Sequence, residues 1–370
     1  MKTTTFKTLF ILIFILLSNN AEAKIWRVNN QSNYNNTTNW GENFGGTPTY
    51  PVFKQINEAV NNPNVTAGDT LHIEGSPLKY NNANINKRLI IIGPGYFLTE
   101  NTKVSNNTYD ARIGWITFDD GSESSQVIGM SFIVGSSSEG VVYVNVNDIT
   151  IKRCRIERQI SFKTLLTDVY ILQNFFTSYN SNALDNSTSS SFIPPQDIIF
   201  NNNICKKTLI WKANSWGTGT IMECNNNVFD GPSNELSLEF NTGSFQNNIL
   251  KAAGITANIN SGTNNNVQYN TVSNSGVFNG TIGNVWVPNM TALFVTNNTT
   301  DGNYQLQSGA TENVTGSDGI ERGAFGGVAE TNRYTLSGLG AIPVIYDVTT
   351  SGVSEANTGL LVNVKARTIK

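Results

Sequence analysis

The sequence predicts an all-β fold: a single-stranded right-handed parallel β-helix (solenoid) with a short N-terminal capping helix and a C-terminal β cap or appendage. Three observations lead there. An Asn-x-apolar motif recurs at coil length, strand-like apolar alternation fills the intervals, and only 14% of residues are charged. The motif stands at Asn174-Phe175-Phe176, Asn202-Asn203-Ile204, Asn226-Asn227-Val228, Asn247-Asn248-Ile249 and Asn270-Thr271-Val272. Met130-Ser131-Phe132 and Cys154-Arg155-Ile156 extend it upstream, with apolar residues in the Asn place. The anchors at 132, 156, 176, 204, 228, 249 and 272 leave gaps of 24, 20, 28, 24, 21 and 23 residues, about one turn of a three-sided coil.

The parity of the motif explains its Asn. Asn and anchor are two residues apart, so in extended chain both point inward. Three residues before the Asn, inward apolar character returns at Ile151, Ile171, Ile199 and Val267, and an odd step cannot keep both positions inside a straight strand. The chain must bend there through a residue near the left-handed region, which Asn tolerates better than most. Stacked coils then set Asn174, Asn202, Asn226, Asn247 and Asn270 above one another as a structural ladder of hydrogen-bonded amides. Val141-Val142-Tyr143-Val144 and Ile149-Thr150-Ile151 supply the alternation elsewhere. A leucine-rich repeat needs several Leu at fixed offsets, which this chain lacks, and a propeller blade is about twice as long.

The ends divide the chain into three parts. Lys2 and Lys7 precede an apolar run, Leu9 to Leu17, that leads to Ala21-Glu22-Ala23. That order predicts a secretory signal over 1–23 with cleavage before Lys24, and hence a secreted or cell-surface protein. No later run is long and apolar enough to suggest a transmembrane segment. The β-helix is expected over 24–333, opened by a helix in which Phe53, Ile56, Ala59 and Val60 fall at helical spacing. Segment 334–370 holds the strand-like runs Pro343-Val344-Ile345-Tyr346 and Leu360-Leu361-Val362-Asn363-Val364 and is read as the C-terminal cap or appendage. A net charge of −3 gives no reason to expect nucleic acid. Cys154, Cys205 and Cys224 are odd in number and are expected to be buried free thiols.

The N-terminal helix, the Gly68-Asp69-Thr70 turn, the run Lys87-Arg88-Leu89-Ile90-Ile91-Ile92-Gly93-Pro94-Gly95-Tyr96-Phe97 and the Asn-x-apolar coils together resemble secreted β-helix proteins of the pectin-lyase-like superfamily. The likeness is to uncharacterised exported members from Bacteroidetes, whose last coil often carries Asp-Ile-Gly-Ala-Phe. Asp318 to Gly327 looks like a looser version. The resemblance implies the fold. It does not imply one activity, because the superfamily includes lyases, hydrolases, epimerases and adhesins.

Uronate lyases of that superfamily place an Arg or Lys beside several carboxylates that hold a cation. The best basic cluster here is Lys152, Arg153 and Arg155, with Arg158 and Glu157 nearby. Counting from the anchors puts Arg153 and Arg155 outside. Arg153 then shares a column with Gln173, Asn201, Asn225, Gln246 and Tyr269, and Arg155 with Phe175, Asn203, Asn227, Asn248 and Thr271. No acid stands in either column, so the carboxylate cage of a divalent cation is missing. The carboxylate pairs Asp119/Asp120 and Glu235/Glu239 read as a turn and as strand positions about 13 Å apart, wider than a hydrolytic pair. His72 is the only histidine, which leaves no zinc cluster, and Asn297 to Ser308 is a turn lacking the closing Glu of a calcium loop. Neither metal nor cofactor is expected. Trp211, Lys212, Asn214 and Trp216 lie in one excursion and suit sugar stacking, although packing is the ordinary fate of Trp. Loops at 99–112, 178–196 and 206–220 are where a catalytic site would be assembled. The expected function is a non-catalytic, extracellular glycan-binding or structural scaffold; the alternative is a polysaccharide lyase or glycoside hydrolase.

Overall fold

The computed structural model describes residues 23–368 apart from 36, 38–39, 102–104, 164–165, 178–180, 187–194, 196, 214–216, 232–234, 261–265, 279–281, 297–298 and 351–358. The expected signal segment, but for residue 23, lies outside the described residues.

Among the described residues the strands form three large sheets of thirteen, nine and five strands, all paired in parallel. The chain visits them in rotation. Ile149–Lys152 lies in the first sheet, Arg155–Ile156 in the second and Gln159–Phe162 in the third; the next pass repeats as Val169–Leu172, Phe175–Phe176 and Leu184–Asn186. Each strand pairs with its counterpart one pass away, as Ile151 does with Ile171 and Ile171 with Phe200. Inward side chains pile into one core, where Phe200 stacks on Phe229 at 6.3 Å and Phe229 on Phe245 at 6.2 Å. The helix Ile56–Asn61 packs Ile56, Ala59 and Val60 into the same core and carries the Gln55/Glu58 capping box. Phe53, expected inside that helix, instead belongs to a strand paired with Arg27–Val28. All three cysteines are buried and free, and burial pushes the Cys154 and Cys205 thiols up to about 12.

The Asn ladder is present, displaced by one residue over three passes from the register expected above. Its members are Asn174, Asn203, Asn227, Asn248, Asn270 and Asn284. Each Oδ1 accepts the main-chain N–H of the residue one pass earlier, at 2.7–2.9 Å. Each Nδ2 donates to a carbonyl in, or just after, the first-sheet strand of that earlier pass, from Ile151, Ile171, Phe200, Cys224, Phe245 and Val267 in order. Asn202, Asn226 and Asn247 instead occupy the bend itself, with φ of 57°, 55° and 58°. Arg153, Gln173 and Tyr269 hold the same left-handed position in their passes. The inward apolar residue of the third motif pass is likewise Phe200, not Ile199.

The misplacement has a physical cause on the outer side of the second sheet. Outward Phe175, Ile204, Val228 and Ile249 are as buried as their inward neighbours, because the chain after the last strand of the second sheet, Val285–Trp286, returns along this face. Met290, Phe294, Tyr304, Ala324 and Tyr334 of the returning segment pack on them as a second core. With both faces apolar, the alternation that sets strand register is erased from the sequence. The boundary expected at 333 therefore falls inside this strap.

Side chains in the bend column tie the strap down. Asn247 exchanges two hydrogen bonds with Ser317, Asn226 donates to the Glu321 carbonyl and Asn202 to those of Ala324 and Gly326. Gln173 and Arg153 donate to Thr331 and Leu339. Strap numbering rises as pass numbering falls, so the strap runs against the stacking direction. Asp318 to Gly327, expected to resemble a last coil, is part of it. Gly323 at φ 83° lies so close that a Cβ there would meet Ile249 at 2.8 Å. Beyond the strap, Pro343–Thr350 and Val362–Thr368 pair as an antiparallel hairpin, which the Asn106 N–H joins at the Ile345 carbonyl. Among the described residues, no helix is long and apolar enough to cross a membrane.

The two columns differ in what they hold. Asn227→Ala strands a buried N–H and a buried carbonyl and should cost about 2–4 kcal/mol in urea denaturation. Asn226→Ala loses one strap contact and a residue suited to the bend, and should cost about 1–2 kcal/mol. Equal losses, or the reverse order, would refute the register described here.

Candidate functional site

The strap covers the second sheet's outer face, whereas outward side chains of the third sheet stay partly exposed among the described residues. Its outward residues follow from strand parity. Trp115 and Thr117 on one strand face the same way as Tyr143 on the next and Asn145 just past its end, in a register that sets Thr117 beside Tyr143. These four line an open recess of about 360 Å³. The Trp115 and Tyr143 rings meet edge to face, with centroids 6.2 Å apart, a favoured aromatic arrangement that fixes both rings. Both residues are partly exposed.

Amides and carboxylates frame the aromatic pair. Asn145 donates to Asp119 at 2.8 Å and Gln159 to Asp185 at 2.7 Å. The column through Tyr143 continues as Asn84, Thr117, Ser161 and Asp185. Lys79 and Glu139 form an ion pair at 2.5 Å, and the hydrogen bond from Lys79 leads the effects that hold the Glu139 carboxyl below its ordinary value. Asp119 also opens the expected turn, completed by Gly121 at φ 93°. Aromatic faces with polar neighbours at strand spacing suit stacking and hydrogen bonding along an extended chain.

The candidates read from the sequence are dispersed. Trp211 is 1% exposed and packs edge-on against Phe162 in the core, so it offers no sugar platform. The Lys212 side chain, Asn214 and Trp216 lie outside the described residues, although Lys212–Ala213 pairs antiparallel with Gly217–Thr218. Arg153, expected outside, is 2% exposed beneath the strap and donates to Gln173 as well as to Leu339. Arg155 pairs with Glu157 and lies over the Phe97 ring at 5.2 Å. Lys152 is partly buried, and burial followed by the Arg153 charge lowers its pKa. The Asn columns expected beside these arginines are also shifted: Arg153 aligns with Gln173, Asn202, Asn226 and Asn247 in the bend, and Arg155 with Phe175, Ile204, Val228 and Ile249. Asp301 of the expected turn is fully buried and accepts from Asn101, Ser337 and Tyr334. Glu239 is reached by Asn258 at 3.4 Å; the Glu235 side chain lies outside the described residues. Among the described residues no three His, Cys, Asp or Glu gather as a metal site.

In the sequence Tyr143 reads only as one residue of an alternating strand, and Trp115 carries no motif. The signal for the pair is an aromatic at an outward position on each of two consecutive passes. No family model, curated protein or solved structure matches the chain.

One buried base lies apart from this face. Lys207 is 2% exposed, with its ammonium 3.2 Å from Ser181 Oγ, and burial lowers its pKa to about 8. An unfolded Lys keeps its proton to about 10.4, so between these values the unfolded chain binds more protons than the folded one. Lys207 by itself therefore contributes stability that grows with pH, by an amount of the order of 2 kcal/mol between pH 8 and 10. The buried thiols of Cys154 and Cys205, held up to about 12 against about 8.5 in the unfolded chain, pull the other way over the same range. The check is the difference between wild type and Lys207→Met in urea denaturation, which should move in favour of the wild type by about that amount from pH 8 to 10.

Proposed function

We propose that this chain is an exported right-handed β-helix of the pectin-lyase-like type that binds an extracellular glycan along the outer face of its third sheet, without cleaving it. The Trp115/Tyr143 pair carries the reading: two partly exposed rings on adjacent strands, bordered by amide, hydroxyl and carboxylate groups. Right-handedness is the rule for parallel strands joined by crossovers. The signal-like segment 1–23 supports export. The scaffold reading draws support from Arg153 and Arg155, the best basic candidates, being engaged with the strap, with Glu157 and with Phe97.

The mature chain should be retained on at least one neutral or acidic polysaccharide in affinity electrophoresis. Retention should fall roughly tenfold or more in Trp115→Ala/Tyr143→Ala, with an unchanged circular dichroism spectrum. Release of reducing ends or of unsaturated products from that polysaccharide would overturn the non-catalytic reading. Unchanged retention in the double variant would move the binding face elsewhere.

A further inference from the structure

A second recess, of about 420 Å³, lies between the outer face of the first sheet and the C-terminal hairpin. That volume falls in the range of small-molecule sites. Its floor is polar, including Arg27, His72, Glu74 and Asn107, and hairpin residues including Ile345 and Val348 give it an apolar side. Arg27 and His72 are paired neighbours on adjacent strands.

The charges of the floor are internally matched. Arg27 Nε meets Glu74 at 2.5 Å while its Nη1 donates to the Phe44 carbonyl. Glu74 also accepts from Asn29. An anionic ligand would find Arg27 engaged and Glu74 repelling it, and a cation would meet Arg27. The chain's single imidazole stands differently: the His72 main chain is held in the strand ladder, but among the described residues its ring has no hydrogen-bond partner. Burial, with a smaller contribution from Arg27 and against Glu74, lowers its pKa, which keeps the ring neutral near pH 7, with one N–H donor and one acceptor nitrogen. The site thus offers donors and acceptors on one side, an apolar surface on the other, and no net charge to attract an ion.

We propose that this recess is a second ligand site that holds one neutral sugar unit, its hydroxyl groups on His72, Glu74 and Asn107 and its C–H face against Ile345 and Val348. A hexopyranose has that division between polar rim and apolar face. The ligand class rests on the glycan reading above, but the site is separate from the third-sheet face.

The single histidine supplies the probe. Untagged protein labelled with [15N]histidine is titrated with glucose, galactose, mannose, xylose and their β-linked disaccharides, following the imidazole resonances. At least one sugar should give a saturable shift. Its apparent Kd should weaken about tenfold in Glu74→Gln, and the shift should vanish in Val348→Trp, an exposed hairpin position where a larger ring fills the recess. Trp115→Ala/Tyr143→Ala should retain the shift. Absence of a saturable shift with every sugar overturns the proposal, as does a shift that survives in Val348→Trp. Retention of polysaccharide with no shift at His72 overturns this site alone; a shift at His72 without polysaccharide retention overturns the third-sheet reading and leaves this site standing.

Discussion

Turning a corner between two sheets leaves main-chain groups without strand partners, and this chain answers the problem with an amide. At each left-handed bend, the N–H of the following residue points along the stack where no strand carbonyl lies. The Asn of the next pass accepts it, then reaches back with its own Nδ2 to a first-sheet carbonyl of the earlier pass. Buried N–H and carbonyl groups cost free energy when unpaired. Six passes solve that problem with one residue type, which locks their rotation relative to one another and keeps the core phenylalanines in a stack.

The bend has an outward consequence as well. A residue at φ near 57° throws its side chain away from the core, and five such side chains, from Arg153 to Asn247, find their partners in the strap. The strap therefore depends on the same corner as the ladder. It closes one face of the stack with a second apolar core and takes Arg153 out of solution. Among the described residues, the aromatic pair of the third sheet stays partly exposed and a recess stays open beneath the hairpin. Buried Asp301, whose pKa burial raises against the hydrogen bonds from Asn101, Ser337 and Tyr334, ties the strap's start to its end and to the loop after Phe97.

Periodicity made the parallel architecture, the pass length and the need for a left-handed bend legible, because each is set by local geometry that repeats. The capping helix and the strands of the hairpin were legible for the same reason. Register was not. In Asn202-Asn203-Ile204-Cys205 two adjacent amides and two adjacent apolar residues satisfy either phase, and the choice rests on a strap more than a hundred residues away in sequence. In the sequence Trp211 fits either a sugar platform or ordinary packing, and its contact with Phe162 makes it a core residue.

The sequence by itself determined that strands stack in parallel with an Asn at the corner, since spacing and residue type carry that information within one pass. Only the tertiary structure decided which Asn faces in, which basic residues are hidden and which surfaces stay open. Those outcomes depend on where the returning strap and the hairpin lie, and the passes they cover carry no local mark of that contact.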